Sequence, residues 1–599
     1  MRIVVDLQGA QTGSRFRGIG RYTLSLVREM VRQAGAHEIV LVLNGMLADS
    51  IPSIRLQFPS LPPGNIRVWH APGPVREADS GNTQRRFAAE CIREAFIASL
   101  NPDIVLITTF FESFGENAVS SINRCQSLPT AVILYDLIPL INPDAYIRYN
   151  RPLKRFFHSK AQELSKADCL LAISNSAGLE AIQALNYDAG SVFTISAGCD
   201  TQFKPPADSD RDKEALLAKF GISRPYAMYS GGCDERKNLS RLIQAFAAAR
   251  KRLQKDVQLV LVGKMPAIEV STLRLIVKRN GLNDHDVRFT GYVSDHELHQ
   301  LYAQSCLFVF PSYHEGFGLP PLEAMACGAA VICSHATSLA EVVDCAEAQF
   351  DPFSVNSIAD SLVKGFSDVS FRQRLLAYGQ TRYKQFTWER SARAALDALE
   401  TVAKRYPPRA AIPSSPLAGL LSKLGQRAKH TPMELLPIAA AIARSRFGDN
   451  VPRLLLDEQI AQEAYGEELL HALGRLDWHC PVLTIRLTND ALEQCNAASG
   501  LTAVIDASAG DFLVTTAAAA SAAGHLLSRL LCDGVRVAAI GSPPPLAPTG
   551  EGQPEPDGLS LLQCLPVAGL LDHTPDGPQC TPDLLALLPI VPAYPPSGI

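Results

Sequence analysis

Three stretches of the chain carry residue types at spacings that could do chemistry. Residues 308–334 read F-V-F-P-S-Y-H-E-G-F-G-L-P-P-L-E-A-M-A-C-G-A-A-V-I-C-S and set two carboxylates, Glu315 and Glu323, around Gly316, Phe317, Gly318 and Leu319. Glycines let backbone N–H groups approach a ligand, and a helix N-terminus adds partial positive charge that suits a phosphate. Glu323 can accept hydrogen bonds from a ribose diol, and Glu315 from sugar hydroxyls. Residues 231–239, G-G-C-D-E-R-K-N-L, place Arg236 and Lys237 just before a helix. Cations are unfavourable at that end of a helix dipole. A guanidinium fork and an ammonium in one cleft can instead hold a diphosphate. Residues 8–21 hold Gly9, Gly13, Gly18 and Gly20 and run into R-G-I-G-R-Y at 17–22; G-x-G alone is equally a tight strand-to-helix turn.

The surrounding pattern says what must position these groups. The apolar run 308–310 is stopped by Pro311, which suits a buried strand. Pro320 and Pro321 open a helix, Gly328 ends it, and 330–333 read as the next parallel strand. Glu315 therefore falls in a loop off the C-terminal end of a strand, where open α/β sheets bind ligands. Further strands are expected at 3–6, 39–43, 104–108, 131–134 and 170–173, then at 226–230, 259–263 and 287–292. Helical patterns lie between most of them, one with Leu24, Val27, Met30 and Val31 on a single face. This is a doubly wound parallel α/β arrangement. Asp136 comes straight off a strand end, where it can cap the following turn.

At 599 residues the chain exceeds one domain, and 47% hydrophobic with 19% charged residues suits large α/β cores. A net charge of -4 gives no global pull toward nucleic acid. The fourteen cysteines show no C-x-x-C and are scattered through apolar runs, which reads as reduced core thiols and neither a disulfide framework nor a zinc site. The chain opens directly on a strand, and no apolar run is long enough to span a bilayer, so a cytoplasmic location is expected. Residues 147–160, I-R-Y-N-R-P-L-K-R-F-F-H-S-K, are basic with paired aromatics. They suit an anionic inner-membrane surface or a lipid-diphosphate acceptor, or else a solvated helix with Phe156 and Phe157 in the core.

The string H-E-G-F-G-L-P-P-L-E-A-M-A-C-G resembles the E-x7-E signature of the retaining, nucleotide-sugar-dependent glycosyltransferases of family 4, the group 1 glycosyl transferases. The resemblance covers about residues 1–405. It implies a GT-B fold: Rossmann-like lobes at 1–200 and 201–405 facing a cleft, with the last helix, from Phe386 to about 405, crossing back to the first lobe. It implies a nucleoside-diphosphate sugar held by Gly18, Gly20, Arg236, Lys237, Gly316, Phe317, Gly318, Leu319 and Glu323. It assigns catalysis to Glu315, Lys237, Arg236 and Asp136, with no metal or other cofactor. Glu315 then positions the sugar, and the attacking hydroxyl enters on the leaving-group face. Tyr135 stands where the family usually has His, and Gly232 where some members carry Arg. R-G-I-G-R-Y with G-G-x-D-x-R-K-N-L is similar to bacterial mannosyl- and rhamnosyltransferases of surface polysaccharide such as lipopolysaccharide O-antigen. That implies GDP-mannose as donor and a growing glycan or lipid-linked acceptor. A nicotinamide-dependent oxidoreductase would need a third glycine where Thr23 stands. The alternative is a non-catalytic carbohydrate-binding or scaffold protein derived from a transferase, against which the intact Glu315, Glu323, Arg236 and Lys237 argue.

Pro407, Pro408, Pro413 and Pro416 mark a linker over 406–450, after which 451–548 resumes an α/β pattern, with a strand at 454–456 and a helix near 461–473. Residues 512–548 align without gaps on 169–205, as expected of a decayed, inactive repeat of the first lobe or of chance likeness between two βαβ pieces. Residues 549–599 form a Pro/Gly-rich tail, with 549–582 expected as loop. The closing I-V-P-A-Y-P-P-S-G-I resembles the start of a further module of a polymerising transferase.

Overall fold

The computed structural model describes residues 1–205, 213–253 and 255–407, Ala441 and Ser445, and eight strands between 454 and 581. In the first lobe, β1 (Arg2–Asp6), β2 (Glu38–Asn44), β3 (Ile66–Trp69), β4 (Ile104–Ile107), β5 (Thr130–Leu134), β6 (Cys169–Ala172) and β7 (Val192–Thr194) form one sheet in the order β3-β2-β1-β4-β5-β6-β7. Every pairing is parallel, with Ile3 opposite both Ile39 and Ile104. The central strands are continuous apolar runs because both faces of the sheet are covered. The second lobe repeats the plan with β8 (Tyr226–Ser230), β9 (Gln258–Val262), β10 (Val287–Gly291), β11 (Leu307–Phe310), β12 (Val331–Ser334) and β13 (Gln349–Phe350), ordered β10-β9-β8-β11-β12-β13. The direction of sheet growth reverses between β1 and β4 and between β8 and β11. A crevice opens at such reversals beyond the strand C-termini. The loops after β8 and β11 are those that carry Lys237 and Glu315.

The helix Trp388–Ala403 ties the lobes together. Ala395, Leu396, Leu399 and Val402 on it share a core with Ile3, Leu26 and Ile39 of the first lobe. Its Trp388 indole donates to Asp200 Oδ1 at 2.6 Å and packs edge-on against Tyr22 at 5.0 Å.

Several expectations need correction. The helix after β1 spans Gly18–Arg32, so Gly18 and Gly20 lie in its first turn and not in the preceding loop. That loop is shortened by two 3-10 turns, the second capped by the Thr12 hydroxyl, which accepts from Ser14 N. β3 was not anticipated, being a four-residue edge strand with an exposed Arg67. Cys91 and Cys125 form a disulfide, against the expectation of reduced thiols throughout. Tertiary packing joins these two, and no short sequence spacing marks them. Cys169, Cys199, Cys233, Cys306, Cys327, Cys333 and Cys345 are free.

In the C-terminal third, Leu454–Asp457, Val482–Leu487, Phe512–Thr516 and Arg536–Ile540 run parallel, with antiparallel strands on either flank of that sheet. Phe512–Thr516 and Arg536–Ile540 are parallel neighbours, as are β6 and β7. The gapless alignment would set Val535 opposite Leu513, as Val192 is opposite Leu170, yet the partner is Val537. The stretch 549–582 contains two strands, Val567–Thr574 and Gly577–Thr581, paired with each other, so it is not loop alone. The expected helix at 461–473, and the linker apart from Tyr406, Pro407, Ala441 and Ser445, lie outside the described residues.

One buried ion pair holds the base of the glycine-rich loop. Asp6, at the end of β1, accepts from Arg93 Nε at 2.6 Å, and both residues are 1% exposed. Gln8 Nε2 donates to the same carboxylate at 3.0 Å. Arg93→Met is expected to leave Asp6 charged and unmatched, costing about 3–5 kcal/mol. A lowered denaturation midpoint would show it, and an unchanged midpoint would refute this role.

Candidate active site

Glu315 sits in the loop between β11 and the helix Leu319–Ala326, and Arg236 and Lys237 sit in a 3-10 turn after β8. Because β8 and β11 are hydrogen-bonded neighbours, with Leu307 opposite Ala227, the two loops converge. Glu315 Oε1 lies 2.6 Å from Lys237 Nζ, and Oε2 lies 2.7 Å from Arg236 Nη1. Thr337 Oγ1 accepts from Glu315 N at 3.0 Å, and Ser338 Oγ donates to Glu315 O at 2.9 Å, which fixes the backbone. Burial pushes the Glu315 carboxyl up, but Lys237 and Arg236 more than reverse this and hold it down at about 2. It is therefore a carboxylate engaged by two cations, well suited to positioning and poorly suited to attack as a nucleophile.

The helix that follows is preceded by Gly318 as its N-cap, whose φ of +110° favours glycine and whose added Cβ would meet Leu339 Cδ2 at 2.6 Å. Gly316 faces the first lobe so closely that a Cβ there would lie 2.3 Å from the Tyr135 carbonyl oxygen. Phe317 points into the shared core, edge-on to Phe386 at 5.7 Å, and Leu319 packs at the same core's margin. What these two could offer a ligand is backbone. Gly20 is packed against the Arg15 backbone at 2.3 Å from a would-be Cβ, a structural demand, whereas Gly18 faces open space at the helix start.

Asp136 follows β5. Its Oδ1 accepts from Ile138 N at 3.0 Å, so the capping role is present, and burial raises its carboxyl above the ordinary range. Arg236, Glu180 and Glu315 all lie within electrostatic reach of it. A cavity of about 180 Å³ opens beside it, lined by Phe110, Phe111, Tyr135, Leu140 and Phe157. Tyr135, in the place of the family's His, has its hydroxyl 2.9 Å from Thr23 Oγ1. A cavity of about 550 Å³ lies by Met1, His37, Asp103 and Asp168, at the N-terminal ends of the strands and away from all these groups. Among the described residues no cluster of His, Cys, Asp and Glu is arranged to hold a metal ion.

The structure thus brings Glu315, Lys237, Arg236, Asp136, Gly316 and Gly318 together where the lobes meet. Glu323 joins them with partners that were not anticipated. Arg21 Nη1 of the first lobe donates to Glu323 Oε1 at 2.8 Å, and the Tyr302 hydroxyl lies 3.5 Å from Oε2. Further lobe-to-lobe contacts run from Ser174 Oγ to Gly316 O at 2.7 Å and from Glu341 to the backbone N–H of Ser176 at 2.9 Å. Arg21 was visible as a flank of the glycine-rich loop. Tyr302, Ser174 and Glu341 carried no local signal, since only the packing of distant elements gives them partners.

Residues 212–382 match the family described as Glycosyl transferases group 1. The second lobe is thus similar to the group 1 glycosyl transferases. The chain is 31% identical over 462 residues to the serotype-specific mannosyltransferase WbdA of Escherichia coli, covering 76% of this chain and 55% of that one. The chain thus spans about half the length of that relative. It is 29% identical over 402 residues to the O-antigen chain mannosyltransferase B of Escherichia coli, covering 64% of this chain and 95% of that one. In structure it resembles Anabaena HepE, solved in complex with UDP and glucose, with a TM-score of 0.50 and 18% identity over 67% of this chain and 100% of that one. It also resembles the sucrose-phosphate synthase from Thermosynechococcus elongatus, with a TM-score of 0.51 and 19% identity over 68% of this chain and 100% of that one. At these identities the likeness is one of fold: two Rossmann-like lobes in the GT-B arrangement.

Between the lobes, burial raises the Glu323 carboxyl from its ordinary 4.5 to about 7, although Arg21 opposes the shift. Between those values the folded chain holds a proton that the unfolded chain releases. The resulting stabilisation is complete below about pH 4.5 and lost as pH rises through about 7. Glu323→Gln is expected to flatten that part of the pH profile of thermal denaturation; an identical profile would contradict the shift.

Proposed function

We infer that the chain transfers a hexose with retention from a nucleoside-diphosphate sugar, GDP-mannose, to a growing glycan or lipid-linked acceptor of bacterial surface polysaccharide. The observation that carries this reading is Glu315 held between Lys237 and Arg236 beside the N-terminus of the helix that starts at Leu319. In this reading the diphosphate lies against that helix tip and the two cations, and Glu323 receives the ribose hydroxyls. Glu315 orients the sugar. The bond from the sugar's C1 to the diphosphate oxygen breaks, the acceptor oxygen bonds to C1 on the same face, and its proton passes to the departing phosphate oxygen. Positive charge aimed at the leaving group is usually the largest catalytic contribution, at about 3 kcal/mol per donor.

The acceptor enters over the first lobe, beside Asp136 and the adjacent cavity. The mannosyltransferase names of the Escherichia coli relatives support the choice of sugar. Arg148 and Tyr149 are exposed, Tyr149 at 86%, while Phe156 is buried, so the 147–160 segment offers a cationic outer face on a packed helix. That face supports contact with the inner membrane surface, where a lipid-linked acceptor would be held, from a cytoplasmic location. Among the described residues no helix is long and apolar enough to cross a membrane. The C-terminal sheet lacks E-x7-E, and we assign it no transfer chemistry.

The test is transfer from a panel of nucleotide sugars to a mannoside acceptor, with product anomers read by nuclear magnetic resonance. GDP-mannose should be used, and the anomeric configuration kept. Lys237→Ala and Glu315→Ala should each lower turnover by about a hundred- to a thousandfold with the fold intact. Near-normal rates in both would remove the mechanism.

A further inference from the structure

The mechanism uses Glu315 but not the residue before it. His314 is 6% exposed, and the opposite lobe engages both of its ring nitrogens. Nε2 lies 2.6 Å from Glu180 Oε1, and Nδ1 lies 2.9 Å from Asn142 Nδ2. An amide nitrogen only donates, so Nδ1 accepts and the ring proton sits on Nε2, donated to Glu180. Glu180 belongs to the helix Asn175–Leu185, and its other oxygen faces Leu137 N at 3.4 Å, next to Asp136. Asn142 closes the short helix Ile138–Ile141 that follows Asp136. The His314 carbonyl accepts from Arg236 Nη1 at 3.0 Å, the same guanidinium nitrogen that holds Glu315.

A buried imidazole costs free energy unless its polar atoms are matched. A histidine that only filled space would find its partners within its own lobe. Here both partners come from the first lobe and reach the ring only when the lobes are together. We propose that His314 is a positioning residue that registers the Glu315 loop against the Asp136 loop on closure, and so sets how the activated sugar divides between acceptor and water. This rests on the transferase reading of the same cleft. Either oxygen, acceptor or water, would form the new bond to C1 as the diphosphate leaves and takes the proton. Which of them succeeds depends on alignment, where a displacement near 1 Å costs about a hundredfold, and on exclusion of solvent.

The full chain is assayed with GDP-mannose and a short mannoside acceptor, transfer and donor hydrolysis being counted separately and GDP affinity measured by calorimetry. His314→Leu should lower kcat for transfer by about a hundredfold. The hydrolysed fraction should rise and GDP affinity should stay unchanged. His314→Gln offers Nε2 to donate and Oε1 to accept, and should restore most of the transfer. Glu180→Leu should mimic His314→Leu, and the double variant should be no worse than the poorer single one, since the two act as one contact. Transfer and partition unchanged in His314→Leu, or additive losses in the double variant, would overturn the proposal. Should the leucine variants fail to fold, as judged by circular dichroism, Glu180→Gln keeps the shape and weakens the charge-assisted bond. An unchanged hydrolysed fraction there also overturns it. A wild-type chain inert toward every nucleotide sugar would sink the transferase reading and this with it, whereas an active wild type matched by His314→Leu would sink this alone.

Discussion

Glu315 lies where little water reaches it, at 8% exposure, so its charge has to be answered by the protein. Taking a carboxylate out of water costs several kcal/mol and is repaid only when the geometry is close and the remaining lone pairs are used. Both conditions are met: one oxygen faces Lys237, the other faces Arg236, and the backbone on either side is pinned by Thr337 and Ser338. Asp234 also lies 3.7 Å from Arg236, so carboxylates answer both cations, and the helix tip at Gly318 adds partial positive charge beside them.

That convergence follows from topology. Lys237 and Glu315 are far apart in the chain, yet β8 and β11 are neighbours because the second sheet grows outward in both directions from between them. The first sheet reverses in the same way between β1 and β4, which aims the Gly18 helix start and the Asp136 loop at the second lobe. Each lobe alone presents half a site. The crossover helix Trp388–Ala403 keeps the halves facing, burying an apolar stripe into the first lobe's core after the chain has completed the second.

The fold of the first 405 residues was largely legible because parallel strands buried on both faces are continuous apolar runs with glycine or proline at their ends. The run 226–230 matched β8 at both ends. β3 escaped because an edge strand with one exposed side has no such run. Gly18 and Gly20 were placed in a loop because a glycine pair is usually read as a turn, while the helix starts at Gly18 without a side-chain cap, directly after a 3-10 turn. Glu315, Glu323, Arg236 and Lys237 were legible as residue types in a motif. Their partners were not: Arg21 for Glu323, and Glu180 with Asn142 for His314, depend on how two lobes meet, and no local pattern encodes that. The Cys91–Cys125 bond is of the same kind, a pairing decided by a helix packing beside a distant loop.

The contacts across the cleft divide into two sorts. Arg21 and Glu323 meet where the proposed donor's ribose would stand, and Arg21 is half-buried. Glu323 itself is buried, at 7% exposure, so whatever takes Arg21 away must answer that carboxyl in turn. A diphosphate sugar would offer Arg21 an anion and Glu323 two hydroxyls, replacing both ends of the broken contact. The bonds of His314 to Glu180 and Asn142, of Ser174 to Gly316, and of Glu341 to the N-terminus of the helix Asn175–Leu185 lie outside that position. With the lobes together they are held in register by contacts that the substrate does not touch, and the Arg21–Glu323 contact is the one it must displace.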